Sequence, residues 1–275
     1  MTIHIKTKQW LALVLLAAGT FLNGCKDPEY PTPTPSVTPP LNSRILAVHA
    51  SPDVPALNIL VNNVPIASNL GYLQTSNGYV NAAAGPAQLR GKAANGTIGG
   101  TLGTNDLLFR AGTTNQNNFN FVGNTNYTVF ITDVLNRPRP NVAGGTNPGG
   151  PQFLIVSDNL TVPAAGAAKV RFFHLAPGAP AVWVNVVGGS TLFPNRAYRT
   201  VSTGSGNNTI DYTNFSDVNA GQYNLEVRTG SDIGPVVLSV PSVNLEAGKI
   251  YTIFARGVLN QTGAQALGAT IIRHN

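Results

Sequence analysis

The sequence contains little charge and a single cysteine. Only 10% of its 275 residues are charged, and Cys25 is the one thiol. A single thiol excludes an internal disulfide, so the fold must rest on core packing. The formal charge of +6 comes from Lys and Arg residues that are spread singly, which excludes the basic stripe of a nucleic-acid-binding protein. With 29 Gly, 20 Pro and no helical pattern beyond the first 25 residues, the composition predicts an all-β protein.

The sequence also lacks the residue clusters that carry chemistry. There is no G-x-S-x-G elbow, and the four histidines, His4, His49, His174 and His274, are scattered without neighbouring acids. The eleven acids are mostly isolated, so no facing carboxylate pair can be nominated. We therefore expect no catalytic residue, no metal site and no cofactor.

The N-terminus has the pattern of an export signal. Lys6 and Lys8 precede an apolar run from Trp10 to Leu22, which is too short to span a bilayer but has the length of a signal-peptide core. The next residues complete LNGC, which resembles a bacterial lipobox, with Asn23 departing from the small apolar residue usual there. The resemblance implies a signal peptide over residues 1–24 and lipid attachment to Cys25.

Residues 25–43 read as a Pro/Thr-rich tether, since repeated prolines favour an extended polyproline conformation. The residues after Cys25, KDPE, resemble the short acidic tag that sends some lipoproteins of Gram-negative bacteria to the cell surface. We therefore predict an outer-membrane lipoprotein that is held to the membrane by its lipid and exposed at the surface.

The remainder of the chain repeats itself. Arg44 to Val61 returns 125 residues later as Lys169 to Val186, and YTVF from Tyr127 returns as YTIF from Tyr251. A period above 100 residues indicates two domains, which we place at 44–162 and 167–275. The connection between them is short, so we expect the two domains to touch.

Alternating apolar residues predict about seven short strands in each copy, the number found in immunoglobulin-like sandwiches. The expected architecture is two tandem immunoglobulin-like Greek-key β-sandwich domains. Asn62-Asn63 and Gly188-Gly189 are expected to form hairpin turns, because these residues accept a positive φ. The segment LEAGKIY, ending at Tyr251, resembles a tyrosine corner.

Both copies carry an HxxPxxP motif directly after their first strand. His49 and His174 fall on the inward parity of that strand, and the prolines cannot donate backbone hydrogen bonds. We expect each imidazole to tie down a carbonyl of this corner, with a ligand or metal role as the alternative. The motif residues are His49, Pro52, Asp53 and Pro55 in the first copy and His174, Pro177 and Pro180 in the second.

The segment HASPDVPALNILVN is similar to the opening of the domain-of-unknown-function family 4397, whose members begin with an xVxHxSPDAPxVDVYVNG pattern. The first copy matches at His49, Ser51, Pro52, Asp53 and Pro55, among others, while the second copy departs at Ala176 and Gly178. The resemblance implies a β-sandwich of an envelope protein, often lipid-anchored and in tandem. It implies no activity.

Two classes of function remain open. The first is a non-catalytic binding or adhesion module, in which Trp183, on the polar parity of its strand, offers a flat face to an extracellular glycan or protein. Trp183 could instead contact the other domain. The second class is a structural spacer without a specific ligand, and an accessory to a carbohydrate-active enzyme is a further alternative. An exposed aromatic row would favour binding, and evenly polar faces would favour the spacer.

Overall fold

The computed structural model describes residues 41–110, 118–141 and 147–275. The predicted signal peptide, Cys25 and the tether up to Pro40 lie outside these residues. Strand β1 begins at Asn42, two residues before the predicted start of the first domain at residue 44, because Ser43 is buried and its hydroxyl donates to the carbonyl of Ala82. We call residues 41–158 the first half and residues 167–275 the second half.

Strands dominate both halves, and the all-β class is confirmed. In the first half the strands are β1 (Asn42–His49), β2 (Leu57–Val61), β3 (Val64–Leu70), β4 (Val80–Ala83), β5 (Gly85–Ala93), β6 (Leu107–Leu108), β7 (Asn118–Phe121), β8 (Asn126–Thr132) and β9 (Gln152–Asp158). In the second half they are β10 (Ala167–His174), β11 (Val182–Val186), β12 (Thr191–Arg196), β13 (Ser202–Thr203), β14 (Ile210–Asp211), β15 (Ser216–Asn219), β16 (Gly221–Thr229), β17 (Val236–Leu245), β18 (Ile250–Arg256) and β19 (Gly268–Arg273). The helical turns of the described residues are three short 3-10 segments, Gly100–Leu102, Gly206–Asn208 and Gly263–Gln265.

Each half contains two main sheets with the same strand order, and the second half adds a two-stranded sheet of β13 and β14. The inner sheets run β4-β1-β8-β9 and β15-β10-β18-β19, and the outer sheets run β3-β2-β5-β6, with β7 also on β5, and β12-β11-β16-β17. The first strand of each half pairs in parallel with a late strand, β1 with β8 and β10 with β18. The strand order is thus the same in the sheets of both halves.

This order differs from that of immunoglobulin domains, in which the first and second strands share a sheet. Here β1 and β2 lie in different sheets, as do β10 and β11. The HxxPxxP segment crosses between the sheets, because its prolines cannot donate to a sheet ladder and prevent a hairpin there. The sandwich class is therefore as expected, and the strand order is not the immunoglobulin one.

Each sandwich encloses its own apolar core. Side chains from the inner strands, such as Ile45 and Val129, meet side chains from the outer strands, such as Leu57 and Leu89, and all four are fully buried. The second half repeats this arrangement around Val170, Val184 and Ile253.

A third cluster joins the halves, and we call it the interface cluster. It consists of Leu46, Val48, Ala50, Phe130 and Val156 from the first half and Phe173, Leu175, Phe254 and Ile272 from the second. These side chains lie on the faces of the inner sheets that point away from each half's own core, so the inner sheets pack back to back. Both faces of β1, β8, β10 and β18 are buried as a result.

Local geometry agrees with several sequence expectations. Asn62 and Asn63 both adopt positive φ at the β2–β3 turn, as a tight hairpin requires. The tyrosine corner is present: the hydroxyl of Tyr251 accepts from the backbone N–H of Glu246 at 3.2 Å. Tyr127 accepts in the same way from Val122, at 3.0 Å.

Candidate functional site

The two histidines of the motif are buried at the corners that connect the sheets. The Nε2 atom of His49 lies 3.2 Å from the carbonyl oxygen of Pro55, and that of His174 lies 2.9 Å from the carbonyl of Pro180. A carbonyl only accepts, so each Nε2 carries the proton. In the second half the Nδ1 atom of His174 accepts from the backbone N–H of Ala176 at 3.2 Å. Burial lowers the pKa of both histidines, which keeps the imidazoles neutral.

A tyrosine packs edge-on against each histidine. The ring centroids of His49 and Tyr72 are 6.4 Å apart, and those of His174 and Tyr198 are 6.0 Å apart. Burial raises the pKa of both tyrosines, and Asp133 of the first half adds to this effect at Tyr198. Tyr72 and Tyr198 are separated by nearly the same number of residues as His49 and His174. Comparing the two copies beyond the motif and its neighbouring strands would therefore have found both tyrosines.

The remaining motif residues hold the corner of the first half to a loop. The carboxylate of Asp53 accepts from the backbone N–H of Leu135 at 2.9 Å, and the hydroxyl of Ser51 donates to the carbonyl of Asp133. Pro52 is buried and Pro55 is partly buried. Asp53 does not contact His49 through a hydrogen bond in the described structure, so the two residues form no catalytic pair there.

The corner of the second half lacks this attachment. Gly178 stands in place of Asp53, is exposed and has a φ of +77°. Pro177 is buried and Pro180 is exposed. Leu259, which corresponds to Leu135, is 40% exposed.

A buried polar network crosses the interface between the halves. The guanidinium of Arg171, 1% exposed, forms an ion pair with Asp158. Arg171 also donates to the carbonyls of Ser157 and Thr213 and to the hydroxyl of Thr252. Buried ions need such complete pairing, because an unpaired charge in the interior is costly.

His274 extends the network. Tyr79 donates its hydroxyl proton to Asp158 at 2.7 Å and lies 2.7 Å from Nδ1 of His274. Nε2 of His274 lies 2.7 Å from the hydroxyl of Thr252, which already accepts from Arg171. Thr252 therefore donates to Nε2, and Nδ1–H donates to Tyr79. Burial, together with the Arg171 charge, lowers the pKa of His274 to about 4.

The network occupies corresponding positions of the two halves but uses different residues. By strand register, Arg171 corresponds to Leu46, and His274 corresponds to Asp158. The guanidinium of Arg171 therefore comes from the second half alone, and the carboxylate of Asp158 comes from the first half alone. The sequence interpretation missed these residues, because Arg171 lies on the parity of β10 opposite to that of His174, and only the parity of His174 was assigned to the inside.

Trp183 lies on the outer sheet of the second half. Its neighbours in the strand, Val182 and Val184, are core residues, so Trp183 points away from the core and is half-buried. It is not part of the interface cluster. The contact with the other domain that was considered for Trp183 is therefore wrong, since the inner sheets form that contact.

The surface around Trp183 combines a charge pair with exposed apolar residues, and we call it the Trp183 patch. Arg228 lies directly opposite Trp183 on β16 and forms an ion pair with Glu226 at 2.7 Å. Val236, opposite Arg228, is 43% exposed. Ile233 is 87% exposed in the loop whose Asp232 and Gly234 carbonyls accept from Asn185 and Arg228. This surface carries one aromatic residue, so the described part of the sheet has no aromatic row.

The described ranges contain neither a cluster of metal ligands nor a membrane-spanning helix. They contain no group of three or more His, Cys, Asp or Glu residues that could hold a metal ion. Among these same residues, no helix has the length and apolar character needed to cross a membrane.

Comparison with known proteins places the chain in a family. No curated protein matches the sequence. The profile of the family described as "domain of unknown function (DUF4397)" matches residues 43–185, which begin in β1 and extend through the second HxxPxxP motif to β11. Since this match covers more than half of the sequence, the chain belongs to the DUF4397 family.

Proposed function

We propose that the protein is a lipid-anchored, surface-exposed envelope protein of a Gram-negative bacterium that binds a partner and catalyses no reaction. The predicted signal peptide and the lipobox-like LNGC segment support the anchor at Cys25. The common strand order of the two halves supports tandem domains at 44–162 and 167–275. The corner histidines support a structural role over catalysis, since their imidazoles are buried and bonded to the backbone.

The Trp183 patch is the observation that carries the binding role. Exposed apolar residues beside a charge pair are typical of interaction surfaces. The two aliphatic side chains, Ile233 and Val236, favour a protein partner over a glycan, because sugars stack on open aromatic faces and Trp183 is half-buried.

A surface pull-down and a glycan array test the binding role. Trp183→Ala and Ile233→Ser should each weaken partner capture at least tenfold, because they remove apolar contacts from the centre of the patch. Ile210→Ser is the matched control, since Ile210 is 59% exposed on β14 and belongs to a different sheet. Capture that survives both patch variants, or no capture by any surface or glycan, would favour the spacer.

Cell fractionation tests the anchor. Cys25→Ser removes the thiol that would carry the lipid, so this variant should leave the membrane fraction while the parent stays in it. Protease treatment of intact cells then checks surface exposure. Equal membrane retention of parent and variant would contradict the lipid anchor.

A further inference from the structure

A cavity opens at the corner of the second half, between its two sheets. It has a volume of about 160 Å³ and is lined almost entirely by apolar atoms. Ala179, Val182 and Ala255 form part of its wall beside His174, and Val237 and Leu259 lie at its exposed rim. None of these residues belongs to the Trp183 patch.

Small side chains in the second half account for this space. Ile131 lies opposite His49 in the sheet register, and Ala255 lies opposite His174. Leu57 likewise corresponds to Val182. Val54 follows His49 by the same five residues that separate Ala179 from His174. At all three positions the side chain of the first half is larger and buried.

In the first half an aromatic ring reaches into this region. The ring of Phe153 comes within 3.5 Å of the position that a Cβ on Gly91 would take, and Leu57 comes within 3.2 Å. Phe153 pairs with Ile131, whereas the residue paired with Ala255 is Ala269. Val227, in place of Gly91, fills only part of the space that the missing ring leaves.

The lining excludes polar ligands. Two titratable residues line the cavity, His174 and Arg256. Both ring nitrogens of His174 are already bonded, to Pro180 and Ala176, and Nη1 of Arg256 donates to the carbonyl of Ala266 at 3.1 Å. The surface of the cavity is formed almost entirely by apolar atoms, so neither side chain offers it a polar group. A polar group placed in the cavity would lose its water without gaining a partner. An apolar cavity of about this size accepts a benzene-sized molecule and otherwise stays dry.

We propose that this cavity is a binding site for a small, uncharged aromatic molecule with one six-membered ring. The ring takes the space that Phe153 fills in the first half, between the side chains of Val182, Val227 and Leu238. Its route from solvent passes Leu259, whose loop is not held to the corner because Gly178 supplies no carboxylate.

Toluene is a suitable probe for the purified protein, with binding followed by calorimetry and by the shift in melting temperature. We expect one toluene to bind per chain and to raise the melting temperature. Benzoate, which has the same ring with a charge, should bind at least tenfold more weakly. Ala255→Ile, which installs the residue of the first half, should weaken toluene binding at least tenfold.

Two further variants make the result decisive. Ala179→Val fills the cavity from the opposite wall and should also weaken toluene binding, which covers the case in which Ala255→Ile fails to fold. Ala264→Ile, on an exposed 3-10 segment, should bind toluene like the parent. The proposal is wrong if the parent does not bind toluene, if benzoate binds equally well, or if a folded cavity-filling variant binds like the parent.

Discussion

At the scale of single residues, the imidazoles of the motif fasten a corner that the backbone cannot fasten alone. The segment after β1 contains two prolines, which leave neighbouring carbonyls without local donors. His49 and His174 each supply a donor from within the core. His174 uses both ring nitrogens, whereas Nδ1 of His49 is buried without a hydrogen-bond partner. The histidine therefore makes more hydrogen bonds in the second half, whereas the first half adds bonds through Ser51 and Asp53.

We expect His49→Ala and His174→Ala each to lower the free energy of unfolding by about 1–3 kcal/mol, because each removes a buried imidazole and the hydrogen bond that it donates to a corner carbonyl. The loss should be larger for His174→Ala, which also leaves the N–H of Ala176 unpaired. Thermal and denaturant unfolding measure both effects. The structural role would be contradicted if both variants unfold with the parent while a binding or metal-dependent property disappears.

The ion pair of Arg171 and Asp158 gives a second prediction at this scale. Arg171→Leu, which installs the residue of the first half, leaves a buried carboxylate without its cation and should cost about 3–5 kcal/mol. Adding Asp158→Asn removes the orphaned charge and still accepts from Tyr79 and Thr128. The double variant should therefore be more stable than Arg171→Leu alone in denaturant unfolding.

The matched control for this pair lies on the surface. Arg273 and Glu246 are 3.8 Å apart and about half exposed, so Arg273→Leu should change the unfolding free energy by no more than about 1 kcal/mol. Equal losses for the buried and exposed variants would mean that the buried network does not stabilise the interface.

At the scale of strands, the sequence predicted most of the pattern that forms each core. The alternation in β2 and β11 is as expected, since each presents one face to a core. About seven strands were predicted in each copy, whereas the described residues form nine in the first half and ten in the second. Additional strands such as β4 and β15 are short and mostly exposed and carry little alternation. The parallel pairing of β1 with β8 is a contact between distant segments, and local periodicity contains no information about it.

The inner strands explain why the interface was not predicted in detail. In β10 both parities are buried, one by the core and the other by the opposite half. The run VRFFH, residues 170–174 of β10, therefore has no face that is exposed to water. The burial of its arginine depends on the opposite half, which the alternation within β10 does not indicate. The motif histidines were placed correctly because their parity agreed with the core. The cavity could not be predicted, since it depends on which small residues meet across the sheets.

At the scale of the whole molecule, the interface cluster makes the halves depend on each other. Phe130 of the first half packs against Phe173 and Phe254 of the second, each with ring centroids 5.7 Å apart. Separation would expose this surface together with the Arg171 network. The connection between β9 and β10 is mostly exposed and should be dispensable once the halves have folded.

A protease site inserted between Ala164 and Ala165 tests this dependence. After cleavage the two fragments should remain together in size-exclusion chromatography, because buried apolar surface and the ion pair still hold them. Phe130→Glu places an unpaired charge in the cluster and should let the cleaved fragments separate. Fragments that separate without this substitution would contradict a stabilising interface.

The parallel pairing of β1 also sets a direction for mechanical load. The chain enters β1 at Asn42, and the corner that carries His49 lies at the other end of this strand. Six consecutive residue pairs join β1 to β8, from Arg44 with Asn126 to His49 with Ile131. If residue 41 is pulled while the corner is held, the force acts along β1. All six residue pairs between β1 and β8 then bear the shear force at the same time. A pull across the strand would break them one after another, so tension along the axis of β1 is the direction in which this sheet resists rupture best.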